Sequence, residues 1–246
     1  MKLVAISDVH IDHVTLGVPR EDEVRKAIEA SVNHALSIEA DAWCFLGDFM
    51  DPDCGPQSFR HLEFLVNEVR RLAEAGIHSV LIAGNHDVVE DSRGGTTLSP
   101  LKEIWPKYVH VLEKPTVFFP NLFDHYGRPN QPKLIALPFT PASRAYDPVE
   151  FLQRALDNQC TNLVLSHLTG VEGVIPGEEV NEMPRGREVT LPLELLARPD
   201  VFVLQGHFHR RQVHQHKGAT VHVVGSPVRF TFGEQDNEPS FLVAEV

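Results

Sequence analysis

The chain has 246 residues, of which 42% are hydrophobic and 23% are charged, and its mean hydropathy is −0.15. This composition is typical of a soluble globular protein, and the length is sufficient for one large domain with a substantial core. No apolar run approaches the ~20 residues that a membrane-spanning helix needs. The apolar stretch at residues 3–6 is too short for a signal peptide. We therefore expect a cytoplasmic protein that has no membrane segment.

The formal net charge is −12, because 34 acidic residues outnumber 22 lysines and arginines. This balance argues against broad electrostatic capture of nucleic acid, so an anionic substrate would need bound cations or a local basic patch. The three cysteines, Cys44, Cys54 and Cys160, form no Cys-x-x-Cys pair and predict reduced thiols rather than a zinc–thiolate site. The fourteen histidines are more informative, since imidazole is a common metal ligand.

The first half of the chain alternates predicted strands and helices. In chain order they are strand 2–7, helix 21–38, strand 43–46, helix 57–75 and strand 79–83. Both helices carry an apolar stripe at the helical period, and Gly76 is the stop signal of the second. This order predicts parallel strands joined by right-handed crossovers.

The second half is richer in predicted strands. They span residues 108–112, 116–119, 133–137, 162–166, 201–205, 211–216, 220–224 and 240–245, and two helices span residues 148–158 and 191–197. The strands on either side of Lys217-Gly218 are predicted to form a hairpin. Three polar, Gly- and Pro-rich stretches are predicted loops: 88–100, 120–132 and 170–190.

These elements favour an α/β fold of two mixed β-sheets that are packed face to face and flanked by helices. No linker, internal repeat or low-complexity tract interrupts the chain. We therefore expect a single catalytic domain over residues 1–246.

Polar clusters follow five of the predicted strands. They are Asp8-Val9-His10, Gly47-Asp48-Phe49-Met50-Asp51, Gly84-Asn85-His86-Asp87, Ser166-His167 and Gly206-His207-Phe208-His209. The carboxyl ends of strands are where open α/β sheets bind ligands. One such cluster alone would more often be a turn or a helix cap. Five together supply the residue types of a mixed nitrogen and oxygen metal site.

The five clusters resemble the motifs of the calcineurin-like metallophosphoesterases: DxH, GDxxD, GNH(D/E), a lone His and GHxH. All five occur in order across residues 8–209. The resemblance implies the αββα sandwich of that family and a site for two divalent metal ions. It places Asp8, His10 and His209 on one metal, places Asn85, His167 and His207 on the other, and makes Asp48 the bridge.

Two cations would clamp the oxygens of an anionic phosphoester and lower the pKa of a bound water, which becomes the nucleophile. His86 is expected to meet the substrate, to stabilise the phosphoryl charge or to protonate the leaving oxygen. Asp87 is expected to orient that imidazole. Asp51 is expected to support a histidine ligand, and a surface or capping role is the alternative.

A finer resemblance is to the nuclease subunit of SbcD-type DNA repair exonucleases. It rests on the Gly47–Asp51 and Ile82–Asp87 segments and on the run Gly225-Ser226-Pro227-Val228-Arg229-Phe230-Thr231-Phe232-Gly233-Glu234. The resemblance implies a DNA substrate and an SMC-like ATPase partner. SbcD-type subunits continue into a DNA-capping domain and a segment that docks the ATPase, and we expect neither within residues 1–246.

Basic residues cluster near the expected mouth of the site: Arg93, Arg185, Arg187, Arg210, Arg211 and Arg229. Phosphate contact is the functional interpretation, and solvated loop charge is the alternative for each of them.

The leading hypothesis is therefore a manganese-dependent DNA nuclease of the SbcD type. Iron and zinc are alternative metals, since mixed Asp, His and Asn ligation suits all three. The net charge favours a second hypothesis, a small-molecule phosphodiesterase or phosphatase acting, for example, on a cyclic nucleotide. The third is a non-catalytic relative that binds a protein partner.

Overall fold

The structure is a computed structural model, and the residues that it describes are 1–53, 55–89, 95–118, 132–139, 147–157, 159–171, 189–216 and 218–246. They form two large β-sheets and two short strand pairs. No helix among these residues is long and apolar enough to cross a membrane.

The first sheet contains five strands in the spatial order β15-β1-β4-β5-β6. Their bounds are β1 (Lys2–Ile6), β4 (Ala42–Phe45), β5 (His78–Ile82), β6 (Val109–Leu112) and β15 (Leu242–Glu245). The four strands from β1 to β6 are parallel, and β15 pairs antiparallel with β1. The carboxyl ends of β1, β4 and β5 therefore lie side by side at one edge of the sheet.

The second sheet contains six strands in the spatial order β13-β14-β12-β9-β8-β7. Their bounds are β7 (Thr116–Phe118), β8 (Lys133–Leu137), β9 (Asn162–Ser166), β12 (Val201–Gln205), β13 (Gln212–His216) and β14 (Ala219–Val223). The central strands β14, β12, β9 and β8 are parallel, whereas β13 and β7 pair antiparallel at the two edges. The predicted hairpin is thus confirmed as β13 and β14.

Helices cover the outer face of each sheet. They are α1 (Glu21–Ser37) and α2 (Ser58–Glu74) on the first sheet, and α3 (Pro148–Ala155) and α4 (Leu193–Leu196) on the second. Short 3-10 helices span Gly55–Gln57, Ser99–Glu103 and Phe232–Glu234. Gly76 follows α2 with a φ of +78°, as its predicted role as a stop signal requires.

The alternation of side chains along the strands produces the layers. In β1, Leu3 and Ala5 face the second sheet, whereas Val4 and Ile6 pack beneath α1 and α2. Apolar side chains of both sheets share one buried cluster between them: Leu3, Ala5, Ala42, Cys44, Leu46, Val80 and Ile82 from the first sheet, with Leu134, Ala136, Leu163, Leu165 and Leu204 from the second. The expected fold, two mixed sheets packed face to face and flanked by helices, is confirmed.

Two short strand pairs were not predicted. The strands β2 (Val14–Thr15) and β3 (Val18–Pro19) form a hairpin, and β10 (Gly170–Val171) pairs with β11 (Thr190–Leu191) in a stretch that the sequence predicted as a loop. Two residues are too few to show the alternation on which strand prediction depends. The predicted helix 148–158 ends at Ala155, because Leu156 is already extended.

His61 is a buried polar residue between α1 and α2. Its side chain is 1% exposed, and neither ring nitrogen has a hydrogen-bond partner. Burial lowers the pKa of His61 below its usual value of 6.5, although the Glu21 carboxylate opposes that shift. The unfolded chain therefore takes up a proton at His61 more readily than the folded chain.

We predict that His61→Leu raises the free energy of unfolding by about 1 kcal/mol at pH 8, because it removes an unsatisfied buried group. The gain should be larger at pH 5, since wild type loses stability as the pH falls through 6.5. Chemical denaturation at both pH values measures it. His61→Gln is the control, because it keeps a polar side chain but cannot titrate. An equal effect of both variants at both pH values would contradict the prediction.

Candidate metal centre

The five sequence clusters meet where the carboxyl ends of strands from both sheets lie close together. Those after β1, β4 and β5 come from the first sheet, and those after β9 and β12 come from the second. They surround a cavity of about 360 Å³, within the range of small-ligand sites. Its walls contain residues of the predicted set and others that the sequence did not indicate: His10, Asp12, His13, Val14, Asp48, Asp51, Asn85, His86, His207, His209, Phe230, Thr231 and Glu234.

The backbone at this edge is strained. Asp8, His10, Asp48 and His207 have φ values of 53°, 38°, 60° and 73°, in the left-handed region that non-glycine residues avoid. Each such residue costs about 1–3 kcal/mol and persists only where the surroundings enforce it. Strain at four residues of the predicted set is typical of a functional site.

Glycines in the motifs allow the strand ends to approach closely. A Cβ on Gly84 would lie 2.5 Å from the backbone nitrogen of Asp48 and would overlap its carboxylate. A Cβ on Gly206 would lie 2.9 Å from Nδ1 of His167 and would overlap the carbonyl oxygen of Leu46. These glycines are therefore required for packing at the site.

One half of the site contains Asp8, His10 and His209. The Nε2 atoms of His10 and His209 are 3.2 Å apart, so both imidazoles point at the same place. Oδ1 of Asp8 accepts a hydrogen bond of 2.9 Å from the backbone N–H of His207. Oδ2 of Asp8 is buried and has no hydrogen-bond partner.

The other half contains Asn85, His167 and His207. Oδ1 of Asn85 lies 3.1 Å from Nε2 of His167 and 3.1 Å from Nδ1 of His207. Nδ1 of His167 lies 2.5 Å from the carbonyl oxygen of Leu46, which can only accept. That contact fixes the ring so that Nε2 faces the site.

Asp48 lies between the two halves. Its Oδ2 is 3.1 Å from Nε2 of His167 and 3.8 Å from Nε2 of His10. Its Oδ1 accepts a hydrogen bond of 2.9 Å from the backbone N–H of His86. One carboxylate thus reaches a histidine of each half.

Burial and the ion pair of Asp48 with His167 together determine the pKa values of the cluster. Burial raises the pKa of Asp8 to about 6 and lowers the pKa of His207 to about 3. Burial also opposes the charged forms of Asp48 and His167, but their mutual attraction is stronger. The pKa of Asp48 lies well below its usual range, and the pKa of His167 is raised to about 9. Asp8 and Asp48 are both buried in this cluster, and two neighbouring buried carboxylates favour a cation beside them.

The donor set fits divalent metal ions. Among the described residues, three overlapping groups could each hold a metal ion, because the ligand atoms within each group lie no more than 4.8 Å apart. The groups are Asp8 with His10 and His209, His10 with Asp48 and His86, and Asp48 with His167 and His207. The unpartnered Oδ2 of Asp8 is the orphaned buried atom that a metal would satisfy. Imidazole nitrogens with carboxylate oxygens suit manganese, iron and zinc alike.

His86 lies at the cavity wall with Asp51. Nδ1 of His86 is 2.8 Å from Oδ1 of Asp51, and the two imidazole rings of His86 and His10 meet edge to face at 4.7 Å. The backbone N–H of Asp51 donates to Asp12 at 3.2 Å. Asp51 was expected to support a histidine metal ligand, but the histidine that it contacts is His86, which was assigned to the substrate.

Asp87 does not have the environment that the sequence predicted. Its buried carboxylate accepts hydrogen bonds of 2.8–2.9 Å from the backbone N–H groups of Asp48, Phe49 and Gly84 and from the hydroxyl of Thr97. The expectation that Asp87 orients His86 is therefore corrected: Asp51 lies against the imidazole. Adjacency along the chain was misleading, because the turn after β5 directs successive side chains apart.

Glu234 is a site residue that the sequence analysis missed as such. Its Oε1 lies 2.5 Å from Nδ1 of His209, and its Oε2 accepts hydrogen bonds from the backbone N–H groups of Phe230 and Thr231. A carboxylate accepts only, so Nδ1 of His209 carries the proton and Nε2 is left with its lone pair. The sequence signal for this residue is the Phe232-Gly233-Glu234 segment, on which the SbcD-type resemblance partly rests.

The predicted arginines are not brought to the cavity wall within the part of the chain that the structure describes. Arg210, Arg211 and Arg229 are exposed, and in the described part of the chain no arginine lines the cavity. The Nε atom of Arg229 donates to the carbonyl oxygen of Asn237 at 2.8 Å. Arg93, Arg185 and Arg187 lie outside the described residues.

Residues 1–211 match the Calcineurin-like phosphoesterase family, and the chain belongs to it. The DNA double-strand break repair protein Mre11 of Sulfurisphaera tokodaii is 24% identical over 230 residues, which are 92% of this chain and 54% of that protein. The chain thus spans about half the length of this curated relative.

Two solved structures resemble this chain at 14% identity, and the first of them shares its fold. A dimetal phosphatase from Danio rerio has a TM-score of 0.57, with 92% of this chain and 87% of that chain covered. A phosphopantetheinyl hydrolase from Mycobacterium tuberculosis has a TM-score of 0.48, with 99% and 95% covered. The family and the site together define the class: the protein is a metal-dependent phosphoesterase, and the non-catalytic hypothesis is set aside.

We predict that Asp87→Asn lowers the free energy of unfolding by about 2–4 kcal/mol, because an amide group would face buried N–H donors. Thermal or chemical denaturation measures the loss. Asp53→Asn, at an exposed position, is the control and should be neutral. Normal stability together with lost activity in Asp87→Asn would contradict this structural role and favour the original assignment to His86.

Proposed function

We propose that the protein is a two-metal phosphodiesterase that acts on nucleic acid, as a manganese-dependent nuclease of the SbcD type. The observation that carries the proposal is the convergence of two ligand sets on the single carboxylate of Asp48. The nucleic-acid substrate is supported by the likeness to Mre11. It is also supported by Glu234, which belongs to the SbcD-like segment and reaches His209.

Asp8, His10 and His209 would hold one metal, and Asn85, His167 and His207 would hold the other, with Asp48 shared between them. Bound divalent ions would neutralise phosphoryl oxygens and lower the pKa of a coordinated water. Glu234 orients His209, and the Leu46 carbonyl orients His167, so each Nε2 lone pair faces the site. The protein thereby presents a pre-formed donor set.

His86 acts on the substrate. The Asp51 carboxylate accepts from Nδ1–H and stabilises the imidazolium, which leaves Nε2–H to stabilise phosphoryl charge or to protonate the leaving oxygen. Phosphodiesters need that proton because their leaving group is an alkoxide. A position at the cavity wall gives His86 access to the substrate.

A second candidate is a small-molecule phosphodiesterase or phosphatase. It is favoured by the net charge of −12 and by a cavity of about 360 Å³ that no described arginine lines. Bis-aryl and mono-aryl phosphates and cyclic nucleotides distinguish the candidates. A preference for monoesters over every diester, DNA included, would contradict both diesterase assignments.

We predict that the protein cleaves single-stranded or end-frayed DNA with added manganese and that His86→Ala lowers kcat by about 10²–10⁴-fold. The metal content of that variant should stay near two ions per chain, since His86 is assigned to the substrate. Elemental analysis and a nuclease assay measure both. His34→Ala, on α1 outside the cavity, is the matched control. Wild type with full metal occupancy that leaves DNA intact would refute the nuclease assignment.

We predict that Glu234→Gln weakens the binding of one metal by about 10–100-fold, because His209 loses the carboxylate that sets its tautomer. Titration calorimetry on the metal-free protein measures the affinities. Glutamine keeps an oxygen for the backbone N–H groups of Phe230 and Thr231, so the fold should persist. Glu238→Gln, at an exposed position four residues further along the chain, is the control. Equal affinities in wild type and Glu234→Gln would rule out this role for Glu234.

A further inference from the structure

A buried aromatic ring forms part of the cavity wall beside the metal centre. Phe230 is 2% exposed and belongs to the hydrophobic cluster beneath α1 and α2, yet it also lines the cavity. A phenyl ring offers neither a ligand atom nor a proton. Any effect of Phe230 on the site must therefore come from where its ring lies.

The ring contacts two histidines of one half of the site. Its centroid lies 5.5 Å from that of His10, at an interplanar angle of 85°, and 5.8 Å from that of His209, at 65°. Edge-to-face contacts at these distances are favourable for aromatic rings. Among the described residues, no such contact joins Phe230 to His167 or His207 of the other half. Phe230 therefore borders one ligand set and not the other.

The imidazole of His10 is held by ring contacts rather than by a hydrogen bond at Nδ1. In His209 that nitrogen lies 2.5 Å from Oε1 of Glu234. In His10 it has no hydrogen-bond partner among the described residues, and the ring meets those of Phe230 and His86 edge to face. Packing against Phe230 thus takes the place of the polar partner that usually orients a histidine ligand.

Phe230 is itself fixed from both sides of its peptide backbone. Its N–H donates to Oε2 of Glu234, the carboxylate that also contacts His209. Its carbonyl oxygen accepts a hydrogen bond of 2.7 Å from the hydroxyl of Thr15. The ring of His13 lies 4.8 Å from the Phe230 ring. A ring anchored in this way can restrain the imidazoles that pack against it.

We infer that Phe230 is a positioning residue for the metal ion assigned to Asp8, His10 and His209. The ring restrains two of the three ligands before the ion binds, which reduces the side-chain freedom that binding would otherwise remove. This inference rests on the proposed two-metal centre. It goes beyond that proposal because it makes the two ions depend unequally on one apolar side chain.

The test is Phe230→Leu in the full chain. Titration calorimetry of the metal-free protein with manganese should show one ion binding about tenfold more weakly, as expected for the loss of an outer partner of a metal ligand, and the other unchanged. Electron paramagnetic resonance adds a spectroscopic signature. At a manganese concentration that fills both positions of wild type, the variant should lose the spin-coupled signal of the ion pair and show that of a single bound ion.

Phe64→Leu is the matched control, because Phe64 is buried in the same hydrophobic cluster and does not line the cavity. It should lower the free energy of unfolding and leave both manganese affinities unchanged. Phe230→Met also lacks a ring but keeps a long apolar side chain, so it should show the same selective loss even where the leucine variant folds poorly.

Three results would overturn the inference: unchanged affinities in the Phe230 variants, an equal loss for both ions, or the same selective loss in Phe64→Leu. Wild type that binds fewer than two manganese ions would instead refute the proposed two-metal centre, and the inference would fail with it. The wild-type titration therefore separates a failure of the proposed function from a failure of the role of Phe230.

Discussion

The buried carboxylate of Asp87 holds the loops of the metal centre in place. It accepts hydrogen bonds from the backbone N–H groups of Asp48 and Phe49, which follow β4, and from that of Gly84, which follows β5. Those bonds draw the two loops together until only a glycine fits at position 84. They also hold Asp48 at its positive φ. The position of Asp48, which reaches a histidine in each half of the site, therefore depends on a buried carboxylate that does not line the cavity.

The site concentrates several unfavourable features in a small volume. Asp8 and Asp48 are both buried, four residues have left-handed backbone conformations, and burial opposes the protonation of His10 and His207. The attraction between Asp48 and His167 offsets part of this free energy. Bound cations would offset more, since they satisfy carboxylates and neutral imidazoles together. The surrounding apolar layers supply stability that holds the strained backbone in place.

The sequence predicted the two sheets, their helices and the set of residues that meet at the site, because each of these depends on short-range patterns. An Asp-x-His or Gly-Asn-His motif after an apolar run marks the end of a strand. Contacts between segments that are distant in the chain were harder to predict from the sequence. His86 is next to Asp87 in the chain, yet its imidazole lies against Asp51, which the pairing of β4 with β5 brings near. Glu234 reaches His209 across 25 residues, and no local pattern specifies that approach.

The acidic composition and an anionic substrate are compatible if attraction operates only at short range. At physiological ionic strength, exposed charges are screened beyond about 8 Å, so most of the net charge of −12 is not felt within the cavity. Divalent cations at Asp8 and Asp48 would dominate the local field. An anionic phosphoester would therefore need attraction only from the cations that the cavity would hold, and the acidic remainder of the chain would oppose its binding there very little.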